Sequence, residues 1–182
     1  MLYNISISKS RGLETMDFKP IPIGVEDFKE LVNKGYYFVD KTLMIKDIID
    51  IKSSVNLFTR PRRFGKTLNM SMIQRYFERT EEDNAYLFEG LNISKAGEKY
   101  KEHQGQYPVI SLSLKSMKQS CFDDAFLLFK KIISKEFQRH KNILLSDKIL
   151  EVDKKEYVSI LEKTADNSQY LYAVKFLSDC LK

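Results

Sequence analysis

The sequence predicts an α/β domain with a mainly parallel sheet flanked by helices, and three observations carry that expectation. Short apolar runs of strand character, at residues 36–40, 54–59 and 107–114, are interleaved with segments patterned at helical period. The run at 54–59 passes through a basic loop directly into one of those helical segments. The chain has 182 residues, 43% hydrophobic and 30% charged, which is the size and balance of one ordinary globular domain.

Residues 1–17 lack periodicity and are expected to form a flexible leader, which leaves 18–182 as the folded domain. In KPIPIG, Pro20 and Pro22 hold the chain extended, and VEDFKELVNKG then reads as a short helix stopped by Gly35. After the strand candidate YYFVD, Asp40 is placed to cap a helix over KTLMIKDIID, whose Ile45, Ile48 and Ile49 share a face. SVNLFT is the next strand. Beyond the basic loop, Leu68, Met72, Ile73, Tyr76 and Phe77 recur at near-helical spacing.

Residues 80–106 are polar and irregular, with a short helix near SKAGEKYK. In YPVISLSL, Ile110, Leu112 and Leu114 alternate with Ser111 and Ser113 as on a half-buried strand. From Ser120 a stripe of Phe122, Ala125, Phe126, Phe129, Ile132, Ile133 and Phe137 marks the clearest helix. Asp123 and Asp124 in its first turn and Arg139, His140 and Lys141 near its end complement the helix dipole. Two further helices are expected over DKKEYVSILEK and SQYLYAVKFLSDCLK, the second with Leu171, Val174, Leu177 and Leu181 in register.

A net charge of +5 permits an anionic partner without selecting one. Cys121 and Cys180 lack zinc-ligand spacing and read as buried thiols in a reducing compartment. No secretory apolar run and no stretch of about 18 apolar residues occurs, so a cytoplasmic protein without membrane insertion is expected. His103 and His140 are isolated in sequence.

The chemistry concentrates in the basic loop. Against the pattern G-x-x-x-x-G-K-S/T, residues Arg60, Pro61, Arg62, Arg63, Phe64, Gly65, Lys66 and Thr67 depart at the first position alone. Such a loop curls backbone N–H groups around phosphate at the positive end of the following helix. Gly65 permits the close backbone approach, Lys66 reaches the β and γ phosphates, and Thr67 supplies a hydroxyl to magnesium. Arg62 or Arg63 suits bidentate phosphate contact. The expected nucleotide site is therefore Arg60, Pro61, Arg62, Arg63, Phe64, Gly65, Lys66, Thr67 and Leu68, with ATP and Mg2+ as ligands and Thr67 on the metal. The bland alternative is a basic surface turn that opens a helix.

KPIPIGVEDFKELVNKGYYFVDKTLMIKDIID followed by TRPRRFGKTLNMSMIQRYF resembles the N-terminal part of the predicted AAA-ATPase-like proteins of bacteria, over roughly residues 18–182. The paired blocks YYFVDKT and TRPRRFGKT make the resemblance specific. It implies an AAA-type P-loop NTPase fold in which the arginine-rich loop is the usual form. It also implies a frequent C-terminal nuclease-like domain of the PD-(D/E)XK type, through which relatives would meet nucleic acid. The role of Asp40, Lys41 and Thr42 does not follow from the match.

The acid that holds the magnesium shell is sought on an apolar strand downstream of Thr67. KILEVD is broken by Glu151, and YVSILE reads as helix. In the proteins it resembles, that strand follows the segment matching VKFLSDCLK, so a sheet incomplete at the C-terminus is expected, with nucleotide binding but little hydrolysis, and no catalytic residue is assigned. The alternatives are a nucleic-acid-binding module using the arginine loop, or an inactive fragment. Oligomerisation is left open.

Overall fold

The computed structural model describes residues 19–59, 61 and 64–182. Among these residues there is no sheet. The elements are helices, joined by irregular chain and a lone parallel bridge between Glu78 and Tyr107. The expected α/β, AAA-type P-loop architecture with a mainly parallel sheet is thereby corrected to a helical one.

Each strand candidate fails for a local reason. At 36–40, Tyr37 N–H donates to Pro20 O (2.8 Å), and Pro20 has no N–H with which to continue a ladder. At 54–59 no regular element forms, and Val55 and Leu57 stand exposed. At 107–114 the bridge ends after Tyr107, and Ser111 N–H donates instead to Glu136 Oε1 (2.7 Å). Of the expected apolar face, Ile110 and Leu112 are partly buried against a helical core and Leu114 is exposed.

The described chain divides into two compact units. Residues up to Ile73 together with Leu87–Ala96 form the first. Its helix α1, Phe28–Asn33, is capped by Asp27, whose side chain accepts from Glu30 N, and stops where Gly35 takes φ +63°. Phe28 and Leu31 are buried, and the Phe28 ring lies 5.4 Å from Phe38 and 5.2 Å from Phe88. Helix α2, Leu43–Ile51, buries Ile45 and Ile49 with Ile48 partly covered, as its periodicity predicts.

Asp40 is not the cap of α2; Thr42 stands at that position. Asp40 Oδ1 instead accepts from Thr42 N (2.8 Å) and Thr42 Oγ1 (2.6 Å), and its Oδ2 accepts from Asn92 N (2.7 Å). Thr42, fully buried, accepts from Ile93 N at its hydroxyl (3.1 Å). The block Asp40-Lys41-Thr42 thus ties the approach of α2 to residues 91–93. Burial raises the Asp40 pKa, but the hydrogen bonds from Thr42 and Asn92 and the nearby Lys95 charge outweigh it and hold the carboxyl below its ordinary value.

A folded-state pKa below the unfolded one gives stability that is fully present above about pH 4 and lost as the pH falls through the folded pKa. Asp40→Asn is therefore expected to cost about 1–2 kcal/mol at neutral pH and to flatten the acid limb of stability, read by urea titrations at several pH values. An acid limb identical to wild type would refute the tie.

The second unit, Gln74–Tyr86 with Gly97–Lys182, takes up the end of α3, Lys66–Phe77, and the short α4, Glu98–Lys101. Tyr76 is buried, donates to Tyr100 O (3.0 Å), and has its phenol pushed up to about 12 by burial. Its core lies among α5, Phe122–Arg139, α6, Glu151–Glu162, and α7, Asn167–Cys180. Phe137 and Tyr157 meet at 4.6 Å between ring centroids, and Tyr157 OH donates to Phe137 O (2.8 Å). Asp166 and Gln169 close a capping box at the start of α7.

Two apolar stripes are displaced from expectation. On α7, Tyr170, Ala173 and Leu177 are buried, whereas Leu171 is 71% exposed. Tyr170 fills the core because its hydroxyl finds Ile160 O (3.3 Å). On α5, Ile133 and Phe137 are core and Phe126 and Phe129 partly buried, but Phe122 stacks on Phe126 at the surface. The cysteines are corrected too: Cys121 is exposed and Cys180 partly buried. Burial, with Asp153, Asp179 and Glu156 nearby, raises the Cys180 pKa and keeps it a protonated thiol. No described helix is long and apolar enough to cross a membrane.

Candidate functional site

The basic loop meets α3 in the first unit. Of the expected nucleotide-site residues, Pro61, Phe64, Gly65, Lys66, Thr67 and Leu68 are described, and Arg60, Arg62 and Arg63 lie outside the described residues. Gly65 takes φ +71°, a conformation that residues with a Cβ adopt at a cost. Its carbonyl accepts from Asn69 N (2.9 Å), the first hydrogen bond of α3. Lys66 and Thr67 therefore open the helix, and both are exposed. Leu68 is partly buried and Phe64 exposed.

The arrangement follows from local chemistry. A glycine in the left-handed region precedes the helix, whose first-turn N–H groups form the positive end of its dipole. A Cβ placed on Gly65 would meet no atom within 4 Å, so the space beside it is open. Open space beside a positive-φ glycine, an exposed ammonium and an exposed hydroxyl fit a phosphate group with a divalent cation. Lys66 and Thr67 are the side chains that would hold them.

The two acid segments considered for the magnesium shell lie in the second unit. Glu151 and Asp153 open α6 and Glu162 ends it, so none of these acids stands on a strand.

A charged cluster in the second unit was not anticipated from sequence. Arg139 pairs with Glu136 through Nη1 (2.6 Å to Oε1 and 2.7 Å to Oε2) and with Glu78 Oε1 through Nη2. Glu136 and Glu78 are 5% and 7% exposed at the side chain. His140 Nε2 lies 3.2 Å from Val109 O and 3.4 Å from Glu136 Oε1, which makes it a partly buried member of the cluster rather than a surface residue. The cluster lines a cleft of about 1290 Å³ with Arg75, Lys135 and Ser113. Its sequence signal was Glu136 itself, a charge at a core-facing position of the α5 stripe. His103 is likewise not isolated in space, since its ring stacks on Tyr107 and Nδ1 is hydrogen-bonded to the Tyr107 hydroxyl.

Comparison with known proteins gives one family and one curated relative. The model of the family described as predicted AAA-ATPase (AAA-ATPase_like) matches residues 22–172. The chain is also similar to an uncharacterized protein in the vnfD 5' region of Azotobacter chroococcum mcd 1, with 31% identity over 99 residues. That alignment covers 54% of this chain and 17% of the relative, so the chain spans a minor part of that protein's length. No solved structure matches.

Proposed function

The chain belongs to the predicted AAA-ATPase family, and from that premise we propose that it binds a nucleoside triphosphate, ATP, where the basic loop enters α3. The observation that carries the reading is Gly65 at φ +71° followed at once by Lys66 and Thr67, both exposed in the first turn of a 12-residue helix. The Lys66 ammonium neutralises the outer phosphates as a point charge. Gly65 lets the backbone approach them. The Thr67 hydroxyl ligates magnesium, which when bound offsets phosphate charge. Arg60, Arg62 and Arg63 add three formal positive charges to the same loop in sequence.

The reading is one of binding, and no residue is assigned to hydrolysis. Its test is equilibrium titration of a fluorescent ATP analogue with magnesium into the full chain and its Lys66→Ala variant. A lost charge-assisted phosphate contact is expected to weaken binding about thirtyfold, with the thermal melt unchanged. Displacement by excess ATP is expected, and none by a DNA oligonucleotide. Equal affinity of the two chains would contradict the proposal. Displacement by the oligonucleotide alone would favour a nucleic-acid-binding loop instead.

A further inference from the structure

Helix α3 carries a polar residue on its covered face. Asn69 and Met72, three positions apart, are 6% and 0% exposed. The Asn69 backbone N–H donates to Gly65 O, but among the described residues its side-chain amide has no hydrogen-bond partner. The Ser71 hydroxyl, by contrast, is engaged, accepting from Phe28 N (3.0 Å).

A primary amide held largely out of water with nothing bonded to it costs stability, and buried polar groups in folded proteins nearly always find a partner. The Asn69 amide is not sealed in. The little surface that the residue keeps includes both polar atoms of its side chain, unlike Asn84 Oδ1 and Gln104 Nε2, which are unpartnered and closed to solvent. A ligand group can therefore reach it.

The direction of the amide follows from helix geometry. A helical side chain leans toward the N-terminus, over the turn that precedes its own Cα. For Asn69 that turn runs from Gly65 to Leu68, and Gly65 and Lys66, four and three positions back, share its side of the helix. The amide thus leans toward the start of α3, where a Cβ on Gly65 would meet no atom within 4 Å. The positive end of the helix dipole lies there too, so an anion with acceptor oxygens is favoured over a cation as the missing partner.

Resting on the nucleotide reading of this loop, we propose that Asn69 is a further residue of the phosphate site, donating through Nδ2 to a phosphate oxygen of the bound triphosphate. A neutral amide adds a directed donor without adding charge. It fixes where the phosphate chain lies against the first turn, while Lys66 supplies the attraction. The burial of Asn69 is then a cost in the free protein that the ligand offsets.

The test is a competition titration on the full chain. A fluorescent ATP analogue with magnesium is displaced by ATP and, separately, by inorganic tripolyphosphate, in wild type, Asn69→Leu, Asn69→Asp and Lys66→Ala. Asn69→Leu is expected to weaken both competitors about fivefold, the loss of one neutral hydrogen bond. Asn69→Asp is expected to weaken both about thirtyfold, because it also sets a carboxylate against phosphate. Without ligand, the melting temperature of Asn69→Leu is expected to rise by about 2–4 °C, since an unpartnered amide gives way to an apolar group. Binding lost in Lys66→Ala but undiminished in Asn69→Leu would overturn this inference alone, and so would a lowered melting temperature, which would assign the amide to the fold. Weakening of ATP without tripolyphosphate would move the amide to the nucleoside and overturn the phosphate contact. Failure of wild type to bind either, or equal affinity in Lys66→Ala, would overturn the nucleotide reading and this inference with it.

Discussion

Replacing Arg139 by methionine is expected to destabilise the second unit by about 3–5 kcal/mol, the range for breaking a buried ion pair by removing one partner. Methionine keeps much of the side-chain volume, so the loss is chiefly electrostatic. Glu136 and Glu78 are both nearly excluded from water, and a single guanidinium serves both. Without it, two buried carboxylates face each other with a Ser111 N–H, a Gln74 amide and His140 as remaining partners. Two uncompensated charges held out of water favour opening of the structure.

Urea unfolding at pH 7 reads the loss, and its origin is separable. Adding Glu78→Gln and Glu136→Gln to Arg139→Met removes the uncompensated charges and is expected to recover more than half of it. A loss below about 1 kcal/mol in the single variant would place the cluster among ordinary surface ion pairs.

Phe137→Ala is expected to cost about 3–5 kcal/mol, by removing a fully buried ring from the centre of the helical core. The ring sits 4.6 Å from Tyr157 and 6.3 Å from Phe176, so its deletion leaves a cavity lined from α6 and α7 at once. Tyr157 loses its aromatic neighbour while its hydroxyl stays bound to the Phe137 carbonyl, which limits collapse into the space. The melting temperature is expected to drop by about 8–15 °C. Phe122→Ala, on the same stripe but 76% exposed, is expected to change it by about 1 °C or less. Equal effects from the two would contradict the assignment of the core.

The helices were legible because their signals are local. Gly35 ends α1 and the α5 stripe repeats at helical period. The sheet was misread because apolar alternation says which face a segment buries and not where its N–H groups go. Residues 107–114 show the difference, since Ile110 and Leu112 are partly buried while a Glu136 carboxylate takes the Ser111 N–H that a neighbouring strand would need. The α7 register depended on Tyr170 finding a distant carbonyl, which periodicity does not encode.

At the candidate site Gly65 takes a positive φ, a conformation glycine adopts without a Cβ penalty. The Asp40 tie was half visible. A residue suited to capping was recognised, but its second partner lies 52 positions away at Asn92. The Glu78–Arg139–Glu136 cluster needed the fold, because 61 positions separate Glu78 from Arg139.

Phosphate binding at the start of α3 is the step on which the proposed function depends. The measurement that reaches it directly is a backbone amide NMR map of the labelled full chain, with and without magnesium ATP. The largest shifts are expected at Gly65, Lys66, Thr67 and Leu68, and they should vanish in Lys66→Ala. A map with no change at these four amides, or with changes confined to the clefts of the second unit, would contradict it.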